Sequence, residues 1–211
     1  MYVYSFPDAK LQGTLTGLSF PAGECVDTAG DVWIVEEGPN DIVEYAHGGT
    51  IPIATLTDPN NAPEACAVDP KTGNLAVANA QTLSAGPGSV GVYAHAQGTP
   101  TLYTDSQMKF VPFVTYDDKG NLYADGVDSS LAYQLAEVRK NAGALTPIAF
   151  NQGIVQATNI HQFFIQGDTF IGPNLGNENV MFWKYPAGGA PTKAIGGFND
   201  PFGSAVSKGK K

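Results

Sequence analysis

Six side chains in this sequence have the chemistry to bind a metal ion or a small ligand, and each precedes or begins a short apolar segment. They are carboxylates, amides and one imidazole. The carboxylate and amide oxygen atoms would suit a hard cation such as Ca²⁺, with the two glutamates as its main ligands. The histidine could act as a base. The alternative is that the glutamates are solvated and the histidine is structural. The six are Glu24, Asn61, Glu64, Asn159, His161 and Asp200.

Motifs for other kinds of chemistry are missing from the sequence. It contains no Gly-Lys-Ser/Thr phosphate loop, no Cys or His pairs at zinc-binding spacing and no Gly-x-Ser-x-Gly motif. Asp125, Gly126 and Asp128 loosely resemble a calcium loop. The closing glutamate of such a loop is absent, so we predict a solvated connection there.

The composition excludes two classes of partner and favours one class of fold. Eleven Lys and Arg against twenty Asp and Glu give a net charge of -9, which cannot neutralise a run of nucleic-acid phosphates. No segment reaches the roughly 18 apolar residues of a membrane-spanning helix. Only 15% of the 211 residues are charged, while 25 are Gly and 15 are Pro, and this mixture is typical of a turn-rich β protein.

A strand-turn-strand pattern recurs along the whole chain. It begins in residues 24–35 and 65–77, returns in residues 113–124, and appears more weakly in residues 163–171. Each copy has a Gly-Asn or Gly-Asp pair that supplies the positive φ angles of a tight hairpin, flanked by β-branched and aromatic residues. The four pairs are Gly30-Asp31, Gly73-Asn74, Gly120-Asn121 and Gly167-Asp168.

A second pattern follows each hairpin, and the two together define a β-propeller blade. An alternating segment ends in Tyr before a turn, and a Thr- and Pro-rich strand comes next; His47 and His95 occupy equivalent places in these turns. Residues 131–140 have a composition compatible with a short helix, but their place in the repeat predicts a strand. The unit thus has four strands, A to D, over roughly 40 to 50 residues, which is the period of a propeller blade.

The repeat also predicts how the ring closes. Residues 1–18 match strands C and D, and residues 201–209 match strand A, so a closing blade would draw on both ends of the chain and lack strand B. Five A strands predict five blades, or six if another blade precedes the sequence, and we expect an N-terminally truncated gene product. The predicted single domain has complete blades at 21–58, 63–105, 112–151 and 160–198.

The two cysteines fall on A strands of consecutive blades. Cys25 lies two residues before Asp27, whereas Cys66 lies three before Asp69. Successive strand residues point to opposite faces, so one thiol could face forward around the ring and the other backward. The pair could form a disulfide between blades, which would imply an oxidising compartment, or remain two buried thiols.

Residues 63–69 (Pro-Glu-Ala-Cys-Ala-Val-Asp) with 73–77 (Gly-Asn-Leu-Ala-Val) resemble the blades of the NHL, YVTN and gluconolactonase-like propellers. The segments after Tyr45 and Tyr185 are similar to those of secreted bacterial propeller proteins. This resemblance covers essentially the whole chain and implies a ligand or metal site at one mouth of the central channel. Gluconolactonase-like enzymes hold a divalent metal there through a Glu at the start of a strand A, which Glu64 would match, and through Asn and Asp residues.

The sequence therefore predicts a non-enzymatic, secreted or periplasmic propeller that binds a protein, glycan or small molecule and is monomeric. The alternative is a metal-dependent lactone hydrolase using Glu24, Glu64, Asn159 and His161. A streptogramin-lyase-like enzyme would need clustered histidines, and the sequence places one near the channel. A third possibility is a fragment without independent function.

Overall fold

The computed structural model describes residues 1–5, 7–59, 62–81, 86–139, 144–147 and 160–205. Its architecture is all-β, as predicted, and is built from four-stranded antiparallel units. We call these units blades 1 to 4, and the two strands before them the N-terminal hairpin. The only helical segments among the described residues are short 3₁₀ turns at Ala94–Ala96 and Leu175–Asn177.

The strands follow one another in the order A, B, C, D within each blade. The N-terminal hairpin contains β1 (Tyr2–Tyr4) and β2 (Leu11–Thr14). Blade 1 contains β3 (Pro21–Val26), β4 (Val32–Glu36), β5 (Asp41–Tyr45) and β6 (Pro52–Thr57). Blade 2 contains β7 (Pro63–Val68), β8 (Leu75–Asn79), β9 (Ser89–Tyr93) and β10 (Thr101–Thr104). Blade 3 contains β11 (Phe110–Tyr116), β12 (Leu122–Val127), β13 (Tyr133–Arg139) and β14 (Ala144–Pro147). Blade 4 contains β15 (Phe164–Gln166), β16 (Thr169–Asn174), β17 (Asn179–Lys184) and β18 (Gly188–Gly196).

The tight turn between strands A and B forms in every blade as the Gly-Asn and Gly-Asp pairs predict. An aspartate at the end of strand A accepts hydrogen bonds from backbone N–H groups within the turn: Asp27 from Ala29 and Asp31, at 2.8 and 2.9 Å. Asp69 and Asp117 do the same in the next two blades. Each turn glycine has a positive φ, a conformation that side chains with a Cβ rarely adopt. These are Gly30, Gly73, Gly120 and Gly167.

The repeated histidines tie this turn to the turn between strands C and D. The backbone N–H of His47 donates to Oδ1 of Asp31 at 2.8 Å, and that of His95 donates to Oδ1 of Asn74 at 2.9 Å. Each Nδ1 atom also lies 3.3 or 3.0 Å from a backbone oxygen of the same turn. Both histidines are exposed and hold the hairpins of their own blade together.

The segment with an ambiguous composition, residues 131–140, contains the strand that the repeat predicts. β13 pairs with β12 over five residues and with β14 over four. One parallel bridge between Thr104 and Ala144 joins the outer strands of blades 2 and 3, so their eight strands form one continuous sheet. Position in the repeat thus outweighs local helix propensity here.

The hydrophobic core lies between neighbouring blades. The strands A of consecutive blades contact one another in chain order, β3 with β7, β7 with β11 and β11 with β15. Each apolar cluster takes residues from two neighbours, for example Trp33 and Val77 between blades 1 and 2, and Leu135 and Phe163 between blades 3 and 4. One blade cannot bury both of its faces, so stacking of blades supplies the core.

Cys25 and Cys66 form a disulfide, with their Cα atoms 5.5 Å apart. In the register of their blades Cys25 lies opposite Trp33, whereas Cys66 lies opposite Val77, one step further along strand B. Their side chains therefore point to opposite faces and meet between the blades, which confirms the parity argument. The bond links the strands A of blades 1 and 2.

The strands approach closely beside this disulfide because of a glycine. A Cβ added at Gly23 would lie 2.6 Å from the backbone oxygen of Glu64. Real Cβ atoms do not come so close to an oxygen, so the approach of β3 to β7 requires glycine at this position.

The two ends of the described chain are organised differently. β1 and β2 form a two-stranded antiparallel sheet that packs on blade 1 through Leu15, which contacts Ile34, Val43 and Tyr45. Residues 201–205 form no strand, although strand A of a closing blade is predicted at 201–209, and residues 206–209 lie outside the described part. The count of five blades stays a prediction. No helix in the described residues is long and apolar enough to cross a membrane.

Candidate functional site

The candidate site lies at the edge of the blades where strands A begin, which we call the entry edge. Strand B runs antiparallel to strand A, so each strand B ends at this same edge. The residues around Asp125 near the end of β12 and the residues just before β15 therefore come together there. Asp125, His161 and Tyr133 form the polar cluster at this junction of blades 3 and 4; we call it the junction cluster.

Asp125 is fully buried, and neither of its carboxyl oxygens has a hydrogen-bond partner of good geometry. It lies opposite Phe113 on β11 and Leu135 on β13. Burial of a carboxyl group without hydrogen bonds is unfavourable by roughly 1–3 kcal/mol in proteins. The prediction of a solvated connection is therefore wrong for Asp125, because the following blade covers the strand that carries it.

The repeat shows what this position normally contains. Asp125 is the fourth residue after the second turn residue, and the fourth residue in each of the other blades is apolar or glycine. Val35 and Ala78 are both completely buried in their blades. Among the four blades, blade 3 alone has a carboxyl group at this register, so the fold itself does not require one. The residues at the same register in blades 1, 2 and 4 are Val35, Ala78 and Gly172.

Burial raises the pKa of Asp125 well above its usual range. The backbone N–H groups of Gln162 and Phe113 lie near enough to oppose this rise in pKa, but they do not reverse it. The protonated form of the carboxyl group, which can both donate and accept a hydrogen bond, is therefore more favoured in the folded protein than in the unfolded chain.

His161 faces Asp125 from the segment before β15. Its Nδ1 atom lies 4.0 Å from Oδ2 of Asp125, which is too long for a direct hydrogen bond, and has no other hydrogen-bond partner. Burial lowers the pKa of the imidazole below its ordinary value. The ring stacks on Phe202, with ring centroids 5.0 Å apart and planes inclined by 14°.

The third member, Tyr133, has a buried hydroxyl group without a hydrogen-bond partner. Burial is the main cause that raises the pKa of this phenol well above its usual value, and the nearby carboxyl group of Asp125 raises it further whenever it is ionised. The surroundings are aromatic, because Phe113 packs edge-on against Phe163 with centroids 5.8 Å apart. The junction cluster thus contains three hydrogen-bonding groups within an apolar wall, and burial shifts each of them toward its neutral form.

The segment after blade 4 lies over the cluster. Ser204 donates hydrogen bonds to the backbone oxygen of Gln162 from its N–H at 3.3 Å and from its hydroxyl at 3.4 Å. These bonds hold Phe202 next to His161. Phe202 itself is 54% exposed, so the stacked pair forms the solvent side of the site.

The other residues predicted for the site occupy different places. Glu24 is exposed and lines the cleft between the N-terminal hairpin and blade 1. Glu64 is half-buried at the entry edge; burial raises its pKa, and the carboxylate of Glu37 raises it further through its charge and a side-chain hydrogen bond. Asp200 is exposed. Asn61 and Asn159 lie outside the described residues.

A second group of carboxylates lies at the opposite edge, between blades 1 and 2. Among the described residues, Asp27, Asp31 and Glu44 form the one group of three whose ligand atoms all lie within 4.8 Å of one another. They line a cleft of about 310 Å³ that also includes Asp69 and Thr72 of blade 2. Burial, then the charges of Asp31 and Asp27, raise the pKa of Glu44. Asp27 and Asp31 already accept backbone hydrogen bonds. Closure of the turns therefore explains the presence of two of the three carboxylates.

Sequence reasoning identified His161 but did not connect it with Asp125 or Tyr133. Alignment of the four B strands contains the signal that could have found Asp125, namely a carboxyl group where the other copies have Val, Ala or Gly. No comparable signal marks Tyr133, because the start of strand C varies among the copies.

Among the comparisons with known proteins, the one with solved structures bears on the fold. No protein-family model and no curated protein matches the chain. Among solved structures, the hydrazine synthase of Kuenenia stuttgartiensis aligns with a TM-score of 0.69 over 87% of this chain, at 12% sequence identity. This chain has a β-propeller fold. It spans 58% of the length of the hydrazine synthase chain, and at this identity the likeness extends to the fold alone.

Proposed function

We propose that this propeller is a non-enzymatic, extracytoplasmic binding protein that takes its ligand at the entry edge, where His161 faces Asp125. The propeller fold suggests a binding or scaffold role, since its strand ends surround one channel mouth. The observation that carries the proposal is the fully buried carboxyl group of Asp125, which lacks a hydrogen-bond partner of good geometry and lies at a register that is apolar or glycine in the other blades. A buried group that destabilises the fold, and that the fold does not require, is typical of a functional site.

The chemistry of the cluster favours binding over catalysis. His47 and His95 are engaged in turns of their own blades, so His161 is the one histidine of the sequence at this junction. A streptogramin-lyase-like mechanism would require histidines that act together. The hydroxyl group of Ser204, the serine that lies over the cluster, donates a hydrogen bond to the backbone oxygen of Gln162, and no contact between it and His161 is observed among the described residues.

Another feature bears on the compartment. The disulfide between Cys25 and Cys66 is of the kind that persists in oxidising compartments, which supports secretion or a periplasmic location. We propose a monomer whose partner is a small molecule, a glycan or a protein. The acidic net charge of -9 disfavours nucleic acid.

A ligand screen with matched variants tests the proposal. The probes are D-glucose, N-acetylglucosamine, L-glutamate, succinate and glycerol, measured by the shift in thermal unfolding midpoint and then by calorimetry. At least one should raise the midpoint of the wild type and of His95→Gln, but not of His161→Gln. His95 is the matched control because it is exposed in a turn. If no probe raises the midpoint, or if His161→Gln responds like the wild type, the proposal fails.

One observation favours a metal-dependent lactone hydrolase as the second candidate. Glu64 and Glu37 bring two carboxyl groups together at the entry edge of blades 1 and 2. A bound divalent cation would reduce the repulsion between like charges at such short range. Of the other residues predicted for this enzyme, Glu24 lines the cleft between the N-terminal hairpin and blade 1 and His161 lies at the junction of blades 3 and 4, so this candidate rests on Glu64 and Glu37. Oxygen ligands of this kind suit Ca²⁺.

The test of this candidate combines metal binding with turnover. Calcium should raise the unfolding midpoint, and δ-gluconolactone hydrolysis should disappear in Glu64→Ala while surviving in Glu178→Ala, an exposed control. If calcium does not change the unfolding midpoint and no lactone is hydrolysed, this candidate is wrong.

A further inference from the structure

In the junction cluster, two buried polar atoms lie at a distance that one oxygen atom could bridge. Nδ1 of His161 and Oδ2 of Asp125 are 4.0 Å apart, and neither has a hydrogen-bond partner of good geometry. A hydroxyl oxygen at about 2.8 Å from both atoms would form an angle of about 90° between them, close to the directions in which hydroxyl groups donate and accept hydrogen bonds.

A metal ion fits the same pair less well. Metal–nitrogen and metal–oxygen bonds of about 2.1 Å would require an angle of about 145° to span the gap, far from tetrahedral or octahedral coordination. Burial also favours the protonated carboxyl group of Asp125, which is a poor metal ligand. The pair is therefore better suited to a hydroxyl group than to a cation.

The walls of the cluster indicate a ligand without net charge. His161, Asp125 and Tyr133 are all shifted toward their neutral forms by burial. A charged ligand would enter an apolar junction and lose its hydration without gaining an opposite charge from these three groups. An uncharged ligand can exchange its hydrogen bonds with water for those with the cluster, and its C–H face can rest on an aromatic ring.

We propose that Asp125, His161 and Tyr133 form a subsite that receives a hydroxyl group of an uncharged polyhydroxylated ligand, such as a monosaccharide, whose C–H face packs on Phe202. This inference rests on the proposed binding function and names its ligand class. Tyr133 supplies a further hydrogen bond, and Phe202, which is 54% exposed, forms the outer wall.

Histidine NMR tests the subsite directly because the chain has three histidines. In protein with ¹³C at the imidazole ε1 position, the signal of His161 is assigned through His161→Gln, and His47 and His95 serve as internal controls. D-glucose, D-galactose and myo-inositol are the probes. At least one should shift the His161 signal saturably and leave the other two signals in place.

Variants of Asp125 separate hydrogen bonding from simple burial. Asp125→Val, which installs the residue that blade 1 has at this register, should abolish the shift while raising the unfolding midpoint. Asp125→Asn keeps a neutral hydrogen-bonding group and should retain the shift, with affinity within about tenfold of the wild type. Tyr133→Phe should weaken binding by about tenfold.

Two results would overturn the subsite. In the first, none of the three probes moves the His161 signal, even if Asp125→Val is more stable, which would mean that the cluster is filled by a buried water at most. In the second, the shift persists in Asp125→Val. If L-glutamate or succinate raises the unfolding midpoint while sugars leave His161 unchanged, the binding function stands and only the subsite fails.

Discussion

The junction between blades 1 and 2 and the junction between blades 3 and 4 are built from the same strands but differ in chemistry. The first has a disulfide, and Trp33 and Val77 are buried beside it. The second has aromatic packing around Asp125, whose carboxyl oxygens lack partners of good geometry. The first junction contains a covalent bond that favours the folded state, whereas the second retains a group that opposes it. The first junction therefore adds to the stability of the fold, whereas the second, which lowers it, is the junction at which we propose binding.

Among the changes that test this comparison, removal of the disulfide should change the free energy of unfolding most. The bond closes a sequence separation of 41 residues, and the loss of chain entropy in the unfolded state corresponds to about 4 kcal/mol of stability. We expect Cys25→Ala with Cys66→Ala to lower the free energy of unfolding by about this amount. Urea denaturation at pH 7 measures it.

Reduced wild-type protein is the control for lost side-chain packing. Wild type treated with a reductant lacks only the cross-link, whereas the double variant also lacks both Sγ atoms, so the difference between them measures the packing that the sulfur atoms contribute. A loss below about 1 kcal/mol would mean that the first junction does not depend on its covalent bond and that the contrast with blades 3 and 4 is smaller than proposed.

Features that repeat along the chain were predictable from sequence, and features that depend on the next blade were not. The Gly-Asn and Gly-Asp pairs predicted the turns, and the offset of Cys25 and Cys66 from Asp27 and Asp69 allowed the thiols to meet between blades, with two free thiols as the alternative until the structure showed the disulfide. Asp125 next to Gly126 has the composition of a strand end in solvent. Its burial arises from packing of blade 4, which is separated from it in sequence, so local composition could not reveal it.

The second prediction concerns the pH dependence of the junction between blades 3 and 4. The pKa of Asp125 is raised in the folded state, so between about pH 4, where the unfolded group titrates, and the raised pKa the folded protein binds more protons. Its contribution to stability therefore falls as pH increases across this window, by up to about 1.4 kcal/mol per pH unit. Asp125→Val should be more stable than the wild type by about 2 kcal/mol at pH 7.

The comparison of the two proteins from pH 4 to pH 8 isolates this contribution. The pKa of His161 is lowered, so its contribution to stability increases as pH rises toward about 6.5, in both proteins. Subtraction removes that common part, and the advantage of Asp125→Val should grow with pH. An advantage that is constant from pH 4 to pH 8 would contradict a raised pKa for Asp125.

The smallest expected effect is at Glu44, a carboxyl group at the junction of blades 1 and 2. Like Asp125 it lies between blades and has a raised pKa, with burial as the main cause, but it lines an open cleft near Asp27 and Asp31. Solvent screens its repulsion from those two carboxylates, so Glu44→Gln should raise the free energy of unfolding by only about 0.5 kcal/mol at pH 7. The gain should vanish near pH 4, where the wild-type side chain is itself protonated, and urea denaturation at both pH values measures it. A gain at pH 7 as large as that of Asp125→Val would mean that access to solvent does not distinguish the two junctions, and that their contrast lies in the disulfide alone.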